Sequence, residues 1–447
     1  MFRECFCNNS GLYWTDAGFS CIMKPRAAFL PAECGGPGRE GAALNRRSVL
    51  VVGGGAAGLC AGIAAAESGA TVTILEKRQK PGKKLLATGN GRCNLANLGP
   101  ARYFGDSTFA GEVLKRFPVL LLLRTLEGWG LPLVRDEDLV YPAVRQAGAV
   151  LSLLTERLRA LRARIVTEAD VISLERGREG FAAHTADGRV FSADACVLAT
   201  GGLAGGALGS ERKDYLLAAG LGHRLTPLFA ALAPVETRPA PPKALSGLRL
   251  RAYVRLLAGD ACLQAESGEV LLTDYGLSGI CVMQLARKVR EALDRGLSPC
   301  LTVDLSPLLL PDPLPFGPIP ADTLDRRKEI LSLLRRRKES LPGQNPLCGL
   351  LPDALVRRLQ DQPAEETARL LSGWPFPVRQ VRDAAYAKVT AGGAETAGVE
   401  PRTMASRLCP GLFLAGELLN VDGACGGYNL QFAMISGIIA GRSAAAC

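Results

Sequence analysis

The chain has 447 residues, 48% of them hydrophobic and 21% charged, which excludes a disordered protein. A single core usually stops growing below this length, so two or three domains are expected. No run approaches 18 apolar residues (the densest, Val119–Leu123, stops at Arg124), so no transmembrane helix is predicted. The 51 glycines have no Gly-X-Y period, which excludes collagen and suits tight loops around a ligand. A net charge of +10 fits an anionic cofactor, nucleic acid or plain solubility.

Residues 1–45 mix Cys, Gly, Pro and isolated aromatics without periodicity. They lack the charged and apolar regions of a signal peptide. The expectation is a poorly ordered leader, or an over-extended start with Met23 as the initiator. Order begins at Ser48. The apolar run Val49–Val52 reads as a buried parallel strand. An Ala-rich helix from Leu59 to Ser68 follows, with Gly69 at its C-terminal end. Thr71–Leu75 is a second strand ending at Glu76, which completes a βαβ opening. Leu151–Leu161 reads as a helix. Arg164–Glu168, Val171–Glu175, Gly180–His184 and Arg189–Phe191 then read as an antiparallel meander broken by turns. Cys196–Ala199 is another buried strand.

From about residue 206 to 384 the texture changes to short strands and clustered prolines (Pro311, Pro313, Pro315, Pro318 and Pro320). A basic amphipathic helix follows. There Leu324, Ile330, Leu331, Leu333 and Leu334 recur among Arg326, Arg327, Lys328, Arg335, Arg336, Arg337 and Lys338. Its charged face is expected to be solvated, with nucleic acid or an anionic substrate as the alternatives. The C-terminus returns to the first style, with a strand at Leu412–Ala415 and a helix from Tyr428 to Ala444. The expected division is therefore a leader at 1–45, a cofactor domain at 46–205 and 385–447, and an inserted β-rich and helical domain at 206–384.

The fourteen cysteines are scattered, and only Cys5 and Cys7 are close in sequence. There is no Cys-x-x-Cys, and His184 and His223 are the only imidazoles. Neither a metal site nor a disulfide framework is expected. Cys60, Cys196 and Cys281 lie in apolar runs and read as buried hydrophobes. Reduced thiols and a cytoplasmic setting follow.

Gly53-x-Gly55-x-x-Gly58 lies between a strand and a helix, and Glu76 ends the next strand. That context makes it a dinucleotide fingerprint. The glycines permit a tight turn and close approach of backbone N–H groups to a diphosphate at the helix N-terminus. Glu76 suits the hydroxyls of an unphosphorylated ribose, hence FAD or NAD. Three features favour FAD. Pro81–Asn94 is a glycine-rich polar loop suited to an extended cofactor. The strand 196–199 ends in Thr200-Gly201-Gly202. The strand 412–415 leads through Gly416 and Glu417 to a helix whose N-terminus, Gly426-Gly427-Tyr428-Asn429, is suited to an anionic reduced flavin.

The runs Gly89-Asn90-Gly91-Arg92-Cys93-Asn94, Gly276-Leu277-Ser278-Gly279 and Gly426-Gly427-Tyr428-Asn429-Leu430-Gln431 are more specific than the glycines. Through them, stretches 49–97, 196–202, 268–279 and 388–441 resemble a flavoprotein family. It includes the FAD-dependent bile-acid enone reductases and the aminoacetone oxidase-like proteins. The resemblance implies an α/β fold: a Rossmann-like FAD-binding domain of the two-dinucleotide-binding type, with an inserted β-barrel-like plus helical domain. Asp274 and Tyr275 depart from the family's frequent His and Phe. Tyr141-Pro142 resembles a family loop of unassigned role.

The cofactor-binding candidates begin with Gly53, Gly55, Ala57, Gly58, Glu76, Lys77 and Lys84. Gly89, Asn90, Arg92, Cys93 and Asn94 follow in the next loop. Val171, Thr200 and Gly201 come from the middle of the chain. Gly416, Glu417, Asp422, Gly427, Asn429 and Leu430 come from its end. Catalytic candidates are Tyr428 as a proton donor, Arg92 holding phosphate or substrate, and Cys425. For each a packing or salt-bridge role is the alternative. Cys93 is either a redox thiol or a packing residue. His223 reads as structural. No second glycine fingerprint exists, so NADH or NADPH is expected to act as a transient reductant. The expected function is NAD(P)H-linked reduction of an activated C=C bond, such as a steroid enone, by hydride transfer through flavin N5. An FAD-dependent amine oxidase and a flavin-containing RNA-binding or RNA-modifying protein are the alternatives. A small-molecule substrate is expected, with neither membrane nor nucleic acid as a partner. The oligomeric state is left open.

Overall fold

The computed structural model describes residues 46–208, 211–310 and 326–446. The leader, Cys5, Cys7, Met23, the proline cluster and Leu324 lie outside the described residues. A five-stranded parallel sheet organises the cofactor half. Its order is Leu412–Leu414, Ala195–Leu198, Ser48–Val52, Thr71–Leu75, Arg164–Val166. We call Ser48–Val52 β1, Ala56–Glu67 α1 and Thr71–Leu75 β2. The central strand is covered on both faces, so Val49 through Val52 are at most 4% exposed. Continuous apolar sequence is what such a position demands.

The segment at 164–168 is a correction. Arg164–Val166 does not start the meander. It pairs in parallel with β2, Ile74 opposite Ile165, after the crossover helix Ala147–Ala160. The meander has three strands: Val171–Arg176, Phe181–Thr185 and Val190–Ala193. A three-residue edge strand carries too little pattern to tell parallel from antiparallel pairing. Two helices also begin earlier than expected. α1 starts at Ala56 rather than Leu59, and the crossover helix at Ala147 rather than Leu151.

Six strands form a closed barrel in the order Val235–Thr237, Gly276–Ser278, Ala261–Leu272, Arg249–Ala258, Pro299–Asp304, Trp374–Val381. Closure leaves no unpaired edge. We call Ile280–Asp294, which packs on this barrel, α2, and the C-terminal helix Tyr428–Ala446 α3. The barrel encloses a second core with Leu256, Val270, Leu285 and Leu301 at 0% exposure. The basic helix is Arg327–Ser340, and it buries Ile330 and Leu334. Several of its cations have protein partners: Arg335 meets Glu365, and Arg337 donates to the carbonyls of Pro346 and Cys348.

α1 is held by close backbone contact on two sides. A Cβ at Gly58 would lie 1.8 Å from the Gly53 carbonyl oxygen, so the helix starts directly against the end of β1. On its other side α1 meets α3 through small residues four apart. A Cβ at Gly437 would lie 2.2 Å from the Ala57 carbonyl oxygen, and one at Gly441 would lie 2.1 Å from that of Ala61. These backbones touch, and no side chain stands between them to yield. Gly437→Ala should therefore destabilise the chain by about 1–3 kcal/mol, the usual cost of overpacking. Thermal unfolding with and without added FAD measures this. An unchanged midpoint would show that the two helices are not in register here.

Candidate functional site

The turn from β1 into α1 opens a cleft. Gly53, Gly55, Glu76, Lys77, Lys84, Val171, Thr200 and Gly201, all named from sequence, line it. Gly53 has φ +109°, and a Cβ there would lie 2.4 Å from the Ala199 carbonyl oxygen, so the turn and the 195–198 strand end meet backbone to backbone. Gly55 differs: a Cβ there would meet nothing within 4 Å. Gly55 is also the N-cap of α1 and carries no side-chain cap. Open space before uncapped N–H groups fits a diphosphate.

Glu76 sits at the cleft wall. Its Oε2 accepts from Gly54 N at 2.9 Å and its Oε1 from Arg78 N at 2.8 Å. Burial pushes its pKa up, and these two donors pull it back. Each oxygen keeps a lone pair for a ribose hydroxyl. Two of the expected cofactor contacts also have protein partners. Lys77 Nζ meets Asp214 at 2.8 Å, and Lys84 Nζ meets Glu417 Oε2 at 2.7 Å and the Gly202 carbonyl at 3.1 Å. Sequence reasoning missed Asp214, which has no local signal because 137 residues separate it from Lys77.

The other end of the site is built from the 88–94 loop and the start of α3. Gly89, Asn90 and Cys93 all have positive φ, between 54° and 58°. The loop thus curls tightly and brings Asn94 beside Gly427, where a Cβ would lie 2.8 Å from Asn94 Oδ1. That oxygen is buried and has no hydrogen-bond partner among the described residues. A buried unpaired acceptor is costly, and a donor on a bound ring would satisfy it. With the cradle at Gly55, the residues fit an extended flavin dinucleotide.

Further candidates here support the loops. Asn429 accepts from Gly423 N at 2.7 Å and donates to the Gly423 carbonyl at 2.8 Å. Asp422 is buried and ion-paired with Arg287 of α2; burial raises its pKa and Arg287 pulls it back. The Tyr428 hydroxyl donates to the Pro100 carbonyl at 2.7 Å, and burial raises its pKa. Gly416 N donates to Ser436 Oγ. Ala57 and Leu430 are buried, and Arg92 is exposed. His223 is buried and pairs with Ser406 at 2.8 Å, away from these loops. Arg102 and Gln284 converge on Glu266, which is 1% exposed, at 2.7 and 3.0 Å. That network and Arg287 are further long-range contacts that sequence reasoning missed.

The nine described cysteines are all free thiols. Burial pushes Cys93 up to about 11 and also raises Cys425. Both are therefore protonated at neutral pH and poor nucleophiles. No group of three or more His, Cys, Asp or Glu suited to a metal occurs among the described residues. No helix among them is long and apolar enough to cross a membrane.

A model of the HI0933-like protein Rossmann domain matches residues 47–443. The chain belongs to this family. It is 36% identical to the 3-dehydro-bile acid delta(4,6)-reductase of Clostridium scindens, covering 90% of this chain and 99% of that one. It is 27% identical to the ribosomal RNA dihydrouridine synthase of Escherichia coli, covering 88% and 96%. Among solved structures, the open conformation of a flavocytochrome c3 fumarate reductase matches at TM-score 0.45 and 15% identity, covering 90% of this chain and 78% of that one. The chain is an FAD-dependent oxidoreductase with a Rossmann-type cofactor domain and an added six-stranded barrel.

Two outcomes follow. Glu76→Ala removes a charged acceptor worth about 1.5–3 kcal/mol, so FAD affinity, read by fluorescence titration, should fall about tenfold to a hundredfold. Unchanged affinity would remove Glu76 from the cofactor site. Cys93→Ser and Cys425→Ser, singly and together, should leave flavin reduction intact, and the wild type should titrate the same number of thiols in its oxidised and reduced forms. Loss of two thiols on oxidation, reversed in either variant, would instead indicate a disulfide relay.

Proposed function

We propose that the chain reduces an activated C=C bond, of the steroid or bile-acid enone type, with NADH or NADPH as the electron source. The supporting observation is the 36% identity, over nearly both whole chains, to a protein named for reducing a delta(4,6) bile acid beside a 3-oxo group. The second relative's name also describes saturation of a C=C bond conjugated to a carbonyl. Both names converge on one reaction type with different substrates.

Bound FAD would supply the hydride donor, N5. The protein does the rest. Gly53–Gly55 and the start of α1 hold the diphosphate, and Glu76 the adenosine ribose. Asn94 and Gly427 would hold the ring end, where the N-terminus of α3 would favour negative charge on the reduced ring. The ion pair of Arg287 with Asp422, and that of Arg102 with Glu266, tie the barrel to the Val421–Gly423 and Tyr103–Gly105 strands beside it.

The test is anaerobic reduction by NADH and by NADPH, followed by mixing with 3-oxo-Δ4 and 3-oxo-Δ4,6 steroids. Rapid reoxidation with a saturated product supports the reading. Reoxidation by oxygen alone, with turnover of amines, would favour an oxidase. The RNA relative motivates one further arm. RNA affinity that falls steeply with salt, with dihydrouridine formed, would make RNA the substrate.

A further inference from the structure

Reduction of an enone needs a proton as well as a hydride, and the phenols of the ring end differ in availability. Tyr103 donates to the Tyr428 carbonyl at 3.1 Å and accepts from Gln431 at 2.9 Å. Tyr428 donates to Pro100. The Tyr141 hydroxyl makes no hydrogen bond to any described residue, and its side chain is only partly buried.

Tyr141 lies on the short strand Leu139–Pro142. Val140 and Pro142 are buried on one face, which leaves Leu139 and Tyr141 on the other. That second face looks toward the start of α3. A Cβ at Gly426 would lie 3.5 Å from Leu139 Cδ2, and the Gly426 carbonyl accepts from Asn97 Nδ2 at 2.8 Å. Charged and titratable groups surround the phenol. The Arg145 guanidinium sits 4.9 Å from its ring centroid and is paired with Asp136 at 3.0 Å. Arg92 from the 88–94 loop and Cys425 from the loop before α3 also bias its ionisation.

We propose that Tyr141 is the proton donor of the reduction, giving the enone α-carbon its proton as the β-carbon takes the hydride. This rests on the function proposed above. The C=C π bond breaks and one C–H bond forms at each carbon. Both electrons arrive with the hydride from the reduced flavin, which a dihydronicotinamide re-reduces. The phenolate left behind takes a proton from water, which its partial exposure permits. Arg92 and Arg145 offset its charge meanwhile. Burial raises the phenol's pKa, with Asp136 and Cys425 acting the same way and the two arginines opposing. It therefore holds its proton throughout the neutral range.

The test is Tyr141→Phe, which removes one oxygen. FAD content and the flavin absorption spectrum should match the wild type and report an intact site. Reoxidation of the reduced variant by a 3-oxo-Δ4 steroid should slow about 100-fold or more, while reoxidation by oxygen is unaffected. In the wild type the enone step should be flat at neutral pH and fall as pH rises through the phenol's ionisation. Wild-type minus variant tyrosinate absorbance locates that ionisation independently, above the ordinary tyrosine value of about 10. A variant that reacts with the steroid at the wild-type rate, or keeps the same alkaline fall, overturns the proposal alone. A wild type that no enone reoxidises overturns the proposed reaction and this proposal together.

Discussion

The site depends on backbone contact around α1. Gly58 brings the helix onto the end of β1, and Gly437 and Gly441 bring α3 onto its back. With no side chains at these contacts, the helix has little room to shift. Its N-terminus is therefore fixed against the sheet while remaining open in front, at Gly55. A diphosphate site needs both properties: fixed donors and nothing in their way. Fixing α1 also fixes α3, and so sets where the start of α3 meets the 88–94 loop. The two ends of one extended site thus share a single packing constraint.

The barrel adds a second layer of control. α2 carries Gln284 and Arg287, which reach across to Arg102, Glu266 and Asp422. Glu266 and Asp422 are nearly inaccessible to water, so leaving either unpaired would be costly. The short strands Tyr103–Gly105 and Val421–Gly423 pair with each other. They are therefore held from the barrel side as well as from the sheet side. A substrate resting against the barrel would meet the ring end of the cofactor through these elements. Relatives in one family can then keep one chemistry and accept different substrates.

Much of this was legible in the sequence, because the fingerprint is local. β1, α1, β2 and the glycines between them occupy fewer than thirty residues, and each constraint acts on a near neighbour. The inserted segment and the basic helix were visible as a change of texture and as periodicity, whereas the barrel was expected only from the family resemblance. Arg164–Val166 was misassigned because three residues cannot show which strand they will join. Lys77, Lys84 and Asp422 carried the right charge for a cofactor, yet their partners Asp214, Glu417 and Arg287 lie more than a hundred residues away. Tyr428 stood in a specific motif, but its hydroxyl belongs to Pro100, while Tyr141 lay in a loop with no assigned role. Local pattern reports which residue types are present, and only the fold decides which of them are already engaged.

The central claim is that one extended flavin site runs from Glu76 to Asn94 and Gly427. A crystal structure of the FAD-loaded chain tests it most directly. The account predicts the adenosine ribose hydrogen-bonded to Glu76, the diphosphate over Gly53–Gly55 at the start of α1, and the isoalloxazine ring donating to Asn94 Oδ1. A flavin with its ring elsewhere, or a diphosphate held away from α1, would contradict it.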